Sequence, residues 1–96
     1  METARIEHVP ARYDTYTARL VTRDGDRVAD GGLVVINGVD RQGDPLEDNG
    51  CIGVLDIQPG YQTLNIKLGC VHVRVNPDQV RALKIGERVA RPEGGR

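Results

Sequence analysis

The feature that most constrains the fold is a change of hydrophobic phase within residues 64–75, LNIKLGCVHVRV. Aliphatic residues occupy even positions up to 68 and odd positions from 71: Leu64, Ile66, Leu68, Val71, Val73 and Val75. One unbroken strand would place these two sets on opposite faces, because side chains alternate along a strand. A two-residue turn at Gly69-Cys70 places all six on one face. We therefore predict a β-hairpin, with a bulge at Gly69 in one long strand as the alternative.

The same register predicts a polar outer face on this hairpin, with Lys67 opposite His72 and Asn65 opposite Arg74. The turn also separates Cys70 from His72, since it moves the cysteine to the tip of the hairpin. Together with Cys51 and His8 these are the only thiols and imidazoles of the chain. They lack the close C-x2-4-C or H-x3-5-H spacing of zinc sites. We predict neither a metal site nor a cofactor.

Upstream of the hairpin, Pro59-Gly60 fits the centre of a type II turn, in which glycine takes the positive φ. A tight turn there opposes Leu55 to Leu64 and makes residues 51–75 a three-stranded meander. Nearer the N-terminus, Asp24-Gly25 is a strong hairpin signal and would oppose Val21 to Val28.

Two further segments complete the predicted architecture. Gly31-Gly32 is expected to end the preceding strand before a new one begins at LVVI (33–36). The consecutive apolar residues of LVVI are typical of a strand covered on both faces. Asn76 can cap a helix and Pro77 suits its first position, which predicts a short helical turn near 77–83. The expected fold is all-β: a small barrel or sandwich of five to six short antiparallel strands, forming one domain over residues 1–91 with a flexible tail at 92–96.

The core must consist of Val, Ile and Leu, because the 96 residues include no Phe or Trp. Self-association would add stability to so small a core, and LVVI with the meander edges predicts a homodimer. No apolar run approaches the roughly 18 residues of a membrane span, and residues 1–12 lack the apolar segment of a signal peptide. We expect a cytoplasmic protein with two free thiols.

An acidic segment, DRQGDPLEDNG (40–50), separates two of the predicted strands. It contains the four carboxylates Asp40, Asp44, Glu47 and Asp48. Calcium loops of the EF-hand type need glycine and glutamate where this chain has Pro45 and Cys51. The segment is long for a hairpin connection, so we expect a solvated loop that contacts a partner.

Basic residues cluster in the C-terminal half: Lys67, Arg74, Arg81, Lys84, Arg88 and Arg91. Barrels that bind single-stranded nucleic acid combine such charge with aromatic stacking platforms. None of the three tyrosines lies in the hairpin that carries Lys67 and Arg74, and the net charge is −1. A dedicated nucleic-acid binder is therefore the less favoured hypothesis.

No nucleophile, base and orienting group occur together in a recognisable pattern, so we do not expect an enzyme. The leading hypothesis is a non-catalytic binding module, a small regulator or inhibitor that docks on a larger protein. The candidate partner-binding residues are Lys67, His72 and Arg74 on the hairpin and Asp40, Asp44, Glu47 and Asp48 in the acidic loop. The alternative is a small β-barrel nucleic-acid-binding protein that uses the basic C-terminal half.

Overall fold

Eight antiparallel strands and one 3₁₀-helix form the computed structural model, which describes residues 3–10, 16–84 and 86. The strands are β1 (Arg5–Pro10), β2 (Tyr16–Val21), β3 (Arg27–Ala29), β4 (Leu33–Ile36), β5 (Ile52–Asp56), β6 (Leu64–Leu68), β7 (Val71–Val75) and β8 (Val80–Ala82), and the 3₁₀-helix is Pro77–Gln79. One sheet has the order β1-β2-β3 and the other the order β7-β6-β5-β4-β8. The all-β prediction is confirmed, with eight strands in place of five or six. The sheets do not close into a barrel.

The β6–β7 hairpin has the predicted register. Leu64 opposes Val75, Lys67 opposes His72 and Leu68 opposes Val71. Gly69 has φ +66° at the turn, a conformation that glycine adopts without steric cost. The bulge alternative is therefore excluded, and Cys70 lies exposed at the hairpin tip.

The turn at Pro59-Gly60 is also present, but the register that we derived from it is wrong by two residues. Gly60 has φ +84°, and the Tyr61 N–H donates to the Gln58 carbonyl at 3.3 Å. Strand pairing resumes only at Leu64, so that Leu55 opposes Ile66. A shift of two residues keeps every side chain on its predicted face, because the period of a strand is two.

The hairpin at Asp24-Gly25 has one residue more in its turn than predicted. Gly25 has φ +88° and its N–H donates to the Thr22 carbonyl at 2.9 Å, as in a type I turn followed by a glycine bulge. Leu20 consequently opposes Val28. The one-residue shift places Leu20, rather than Val21, on the same face as Val28, and both Leu20 and Val21 are fully buried.

The helical turn predicted near 77–83 is shorter than expected. Its 3₁₀-helix ends at Gln79, whose side-chain oxygen accepts the Asn76 N–H at 2.7 Å. Residues 80–82 form a strand because they pair with β4, with Val80 opposite Ile36. Pairing with β4 gives the backbone N–H and C=O groups of residues 80–82 the hydrogen bonds that a longer helix would otherwise supply. It also buries the Val80 side chain.

A single aliphatic core lies between the sheets. It contains Leu20, Val34, Ile36, Leu55, Ile57, Leu64, Ile66, Val75 and Val80. The strand breaks at Gly31-Gly32, as predicted, and the chain passes there from one sheet to the other, with the Gly31 N–H donating to the Leu55 carbonyl at 2.7 Å. The prediction that LVVI is covered on both faces holds only in part. On the outer face Val35 is covered, at 1% exposed, whereas Leu33 is 49% exposed.

Both cysteines are free thiols, in agreement with the prediction. No helix among the described residues is long and apolar enough to span a membrane. The predicted tail at 92–96 and the domain boundary at 91 lie outside the described residues. The homodimer remains a prediction.

Candidate functional site

The outer face of the five-stranded sheet carries five polar residues from three neighbouring strands. They are Asp56 on β5, Asn65 and Lys67 on β6, and His72 and Arg74 on β7, and we call them the polar strip. Asp56 opposes Asn65, which opposes Arg74, and in the adjacent row Lys67 opposes His72. Directly opposed residues have Cβ atoms about 5 Å apart. The fold therefore brings together the three candidates Lys67, His72 and Arg74.

Asn65 is the centre of the polar strip, and it is only 5% exposed although it lies on the outer face. Its Nδ2 donates to Asp56 Oδ2 at 3.1 Å and lies 3.1 Å from His72 Nδ1. A carboxylate only accepts hydrogen bonds, so Asp56 requires the amide nitrogen, not the amide oxygen, to face it. The same nitrogen then donates its second proton to His72 Nδ1.

Arg74 is held by three neutral side chains at the end of the polar strip. Its Nη1 donates to Thr63 Oγ1 at 3.1 Å, and its Nη2 donates to Gln58 Oε1 at 2.5 Å. Its Cζ lies 4.5 Å from the ring centroid of Tyr61, a cation–π distance, and that ring is 57% exposed. Two of the five guanidinium N–H groups are used in this way.

The two positive charges of the polar strip form no ion pair among the described residues, although the Asp56 carboxylate lies on the same face. In the described part of the chain, ion pairs join Glu7 to Arg5 and Arg19, and neither Lys67 nor Arg74 is paired with a carboxylate. Neutral oxygens and an aromatic ring orient Arg74 without cancelling its charge. The strip therefore presents two cations to a ligand, and one of them, Arg74, is already oriented.

An apolar surface lies beside the polar strip on the same face. Leu33, Ile52 and Val54 are 49%, 39% and 37% exposed, and we call these three residues the apolar patch. Leu33 opposes Val54, which in turn opposes Lys67. The apolar patch and the polar strip are thus continuous across β4, β5 and β6.

The acidic loop, residues 40–50 between β4 and β5, lies away from the polar strip. It leads into the start of β5, whereas Arg74 is aligned through Asn65 with Asp56 at the end of that strand. The Asp40 carboxylate accepts the N–H groups of Gln42 and Asp44, both at 2.9 Å, so it holds the loop in shape.

The other three acidic candidates differ in exposure: Asp44 and Glu47 are exposed, and Asp48 is half-buried. The structure thus divides the seven predicted partner-binding residues into two separate surfaces.

Two ionisable groups outside the polar strip have perturbed pKa values. The hydrogen bond from Arg19 Nε to Glu7 Oε1, 2.6 Å long, lowers the pKa of Glu7. Burial, with the nearby charge of Asp48, raises the pKa of Cys51. A raised pKa keeps a thiol protonated and poorly nucleophilic, so Cys51 is unsuited to covalent catalysis.

A cleft of about 810 Å³ lies between strands β1 and β2 and the segment at residues 57–59 that follows β5. Its walls include Ala18, Ile57 and Pro59, together with His8 and Asp30. The Asp30 carboxylate accepts the Ile57 N–H at 2.8 Å and so fixes the chain at the wall. Within the described ranges, no three His, Cys, Asp or Glu side chains are grouped to hold a metal ion.

Asp56, Asn65 and Tyr61 were not predicted as site residues. The hairpin register correctly placed Asn65 opposite Arg74, but the two-residue error between β5 and β6 left Asp56 away from it. Tyr61 belongs to the loop before β6, and its contact with Arg74 depends on how that loop folds. The one sequence pattern that indicated this site was the alternation of polar with aliphatic residues, which places polar side chains at positions 65, 67, 72 and 74.

Comparison of the chain with protein-family models, curated proteins and solved structures gave no match. Its function must be argued from the chemistry of the surface.

Proposed function

We propose that this protein is a non-catalytic binding module, a small regulator or inhibitor that docks on a larger protein through the outer face of its five-stranded sheet. The observation that supports this is the continuity of the apolar patch with the polar strip. Protein interfaces combine an apolar centre with a polar rim and are enriched in Arg and Tyr. Leu33, Val54, Tyr61 and Arg74 supply these elements on one surface.

The order already present in the polar strip favours binding. Ordering a long side chain at an interface costs about 0.5–1.5 kcal/mol, and this cost lowers affinity. Arg74 is held in advance by Thr63, Gln58 and Tyr61, so much of its ordering cost is met before the partner arrives. The acidic loop is the less favoured docking surface, because the Asp40 carboxylate is used by the loop backbone.

We place the protein in the cytoplasm, on the basis of its two free thiols. Self-association into a homodimer is part of the same proposal, because β7 is an edge strand whose first residue, Val71, is 59% exposed.

The second candidate function is nucleic-acid binding, and the contact of Tyr61 with Arg74 favours it. An exposed aromatic ring beside cationic side chains is the arrangement on which single-stranded bases stack. Its support is weaker, because the described part of the chain offers one such ring and the net charge is −1.

Docking is tested with the native partner, identified by cross-linking and then purified. Isothermal titration should show at least about a tenfold loss of affinity for Val54→Asp, which places a charge in the centre of the interface, where charged residues are depleted. Val39→Asp, the same change at an exposed aliphatic residue in the segment after β4, is the matched control and should bind as wild type. Equal affinity for Val54→Asp, with its fold confirmed by circular dichroism, would refute docking through this face.

Nucleic-acid binding is tested by anisotropy with labelled single-stranded DNA and RNA at about 50 mM salt and above. Binding through phosphates should weaken steeply as salt rises, with a slope near −0.7 per contact for single strands. Arg74→Ala and Tyr61→Ala should both reduce it. No binding at the lowest salt concentration would exclude this candidate.

A further inference from the structure

The outward-facing groups of the polar strip are hydrogen-bond donors. The Lys67 ammonium and the Arg74 guanidinium have donors and no acceptor. The one carboxylate of the strip, Asp56, is half-buried and accepts from Asn65. A ligand for such a surface must supply acceptors, and an anion does so best.

His72 becomes a donor as well, through two successive hydrogen bonds that link three residues. Asp56 orients the Asn65 amide, and the amide nitrogen then donates to His72 Nδ1. Because a neutral imidazole has one donor and one acceptor nitrogen, acceptance at Nδ1 places the proton on Nε2. The ring is exposed, so the Nε2–H can reach a ligand.

The surroundings favour a carboxylate over a phosphate backbone. The polar strip has two fixed positive charges, and Asp56 adds a negative charge behind them. A polyphosphate ligand would gain little from so few cations in a chain with a pI near 6.1. The adjoining Leu33, Ile52 and Val54 also suit an aliphatic side chain, which a sugar–phosphate backbone lacks.

We propose that Lys67, His72 and Arg74 form one site for the carboxylates of an acidic polypeptide segment of the partner, with His72 acting as a neutral Nε2–H donor. An aliphatic residue of the same segment packs on the apolar patch. This inference rests on the docking surface proposed above and adds the chemistry of its ligand. Asn65 and Asp56 are positioning residues, because they act through His72.

The first test measures the histidine tautomer without any ligand. In long-range ¹H–¹⁵N spectra at neutral pH, His72 should show an unprotonated Nδ1 and a protonated Nε2. His8, the other histidine and an exposed one, is the internal reference. Asp56→Asn removes the carboxylate that forces the nitrogen of the Asn65 amide to face it. The amide can then turn either way, so His72 should populate both tautomers. A proton on Nδ1 in the wild-type protein would overturn the assignment.

The second test uses a labelled probe peptide, Glu-Glu-Leu-Glu-Glu, and its counterpart in which glutamine replaces each glutamate. The acidic peptide should bind at least about tenfold more tightly, since charge-assisted hydrogen bonds are roughly twice as strong as neutral ones. Arg74→Lys keeps the charge but loses the planar fork, so it should weaken binding several-fold. Arg41→Ala, an exposed base in the acidic loop, is the matched control and should have no effect.

The outcomes separate this inference from the docking proposal. Equal binding of the two peptides would overturn the carboxylate site, even if Val54→Asp abolishes docking of the native partner. Tighter binding of single-stranded DNA than of the acidic peptide would also overturn it. Concentration-dependent self-association that Arg74→Ala abolishes would assign the site to the acidic loop of a second copy, and would overturn its assignment to a partner segment.

Discussion

Adding one methyl group at Gly53 should destabilise this protein, although the backbone there can accept alanine. Gly53 is buried on the inner face of β5, opposite Val34, and does not have a positive φ. A Cβ at this position would overlap Ile66 Cγ2 and would lie 2.8 Å from Leu68 Cδ2 and 3.0 Å from the Lys67 carbonyl oxygen. Strand β6 therefore occupies the space of the missing side chain.

The expected loss follows from two opposing terms. Carbon atoms pack at about 3.5–4.0 Å, so the Ile66 side chain must move by about 1 Å and the Lys67 carbonyl by a few tenths of an ångström. Overpacking of this kind costs about 1–3 kcal/mol. Replacing glycine by alanine at a compatible φ returns about 0.4–1 kcal/mol through the unfolded state. The middle values of the two ranges leave a net loss of about 1 kcal/mol, or about 4–8 °C in Tm for a domain of this size.

Urea unfolding of Gly53→Ala, followed by circular dichroism, measures this loss as a lower midpoint at unchanged slope. The control is a double-mutant cycle with Ile66→Ala, which removes the overlapping methyl group. On that background Gly53→Ala should cost less than in the wild-type protein, because the closest overlap is gone while the contacts with Leu68 and the Lys67 carbonyl remain. A higher midpoint for Gly53→Ala alone, or strict additivity in the cycle, would refute the overlap.

Three further predictions concern the turn and two ionisable groups. Gly69→Ala should cost about 1–2 kcal/mol in thermal unfolding, because φ is +66° there, and Gly69→Asn should cost less. The hydrogen bond from Arg19 lowers the pKa of Glu7 below its ordinary 4.5, so Glu7 stabilises the folded state above that value and loses this effect as pH falls through the lower, folded-state pKa. The stability difference between wild type and Glu7→Gln should therefore shrink between about pH 7 and pH 3, and a constant difference would contradict the ion pair. Burial raises the pKa of Cys51 whereas Cys70 is exposed, so iodoacetamide should label Cys70 faster in peptide mass mapping, and equal rates would contradict this.

The β6–β7 hairpin shows how far local information reaches. Two short strands with opposite phases meet at a glycine, and only a two-residue turn places their aliphatic residues on one face. Every pair from Leu64–Val75 to Leu68–Val71 follows from that condition. Lys67, His72 and Arg74 were therefore recognised as neighbours.

Longer connections show where such reasoning fails. The alternation of β5 requires Leu55 to face the core, but it does so equally well opposite Leu64 or Ile66. The Gln58–Tyr61 turn does not by itself determine how many residues separate it from β6. The predicted register between β5 and β6, wrong by two residues, did not place Asp56 opposite Asn65. The contacts that orient His72 were therefore not predicted.

Along each strand, the sequence alone determined which side chains share a face, because that property depends on a period of two residues. Between β2 and β3 the predicted shared face was wrong, because the turn that joins them has one residue more than expected. The sequence also determined the positions of the turns, because glycine with a positive φ is a local requirement. Only the tertiary structure placed β8 beside β4, the apolar patch beside Lys67, and Tyr61 on Arg74. These contacts depend on the path of each connecting segment and on the packing of one sheet against the other, which no short stretch of sequence encodes.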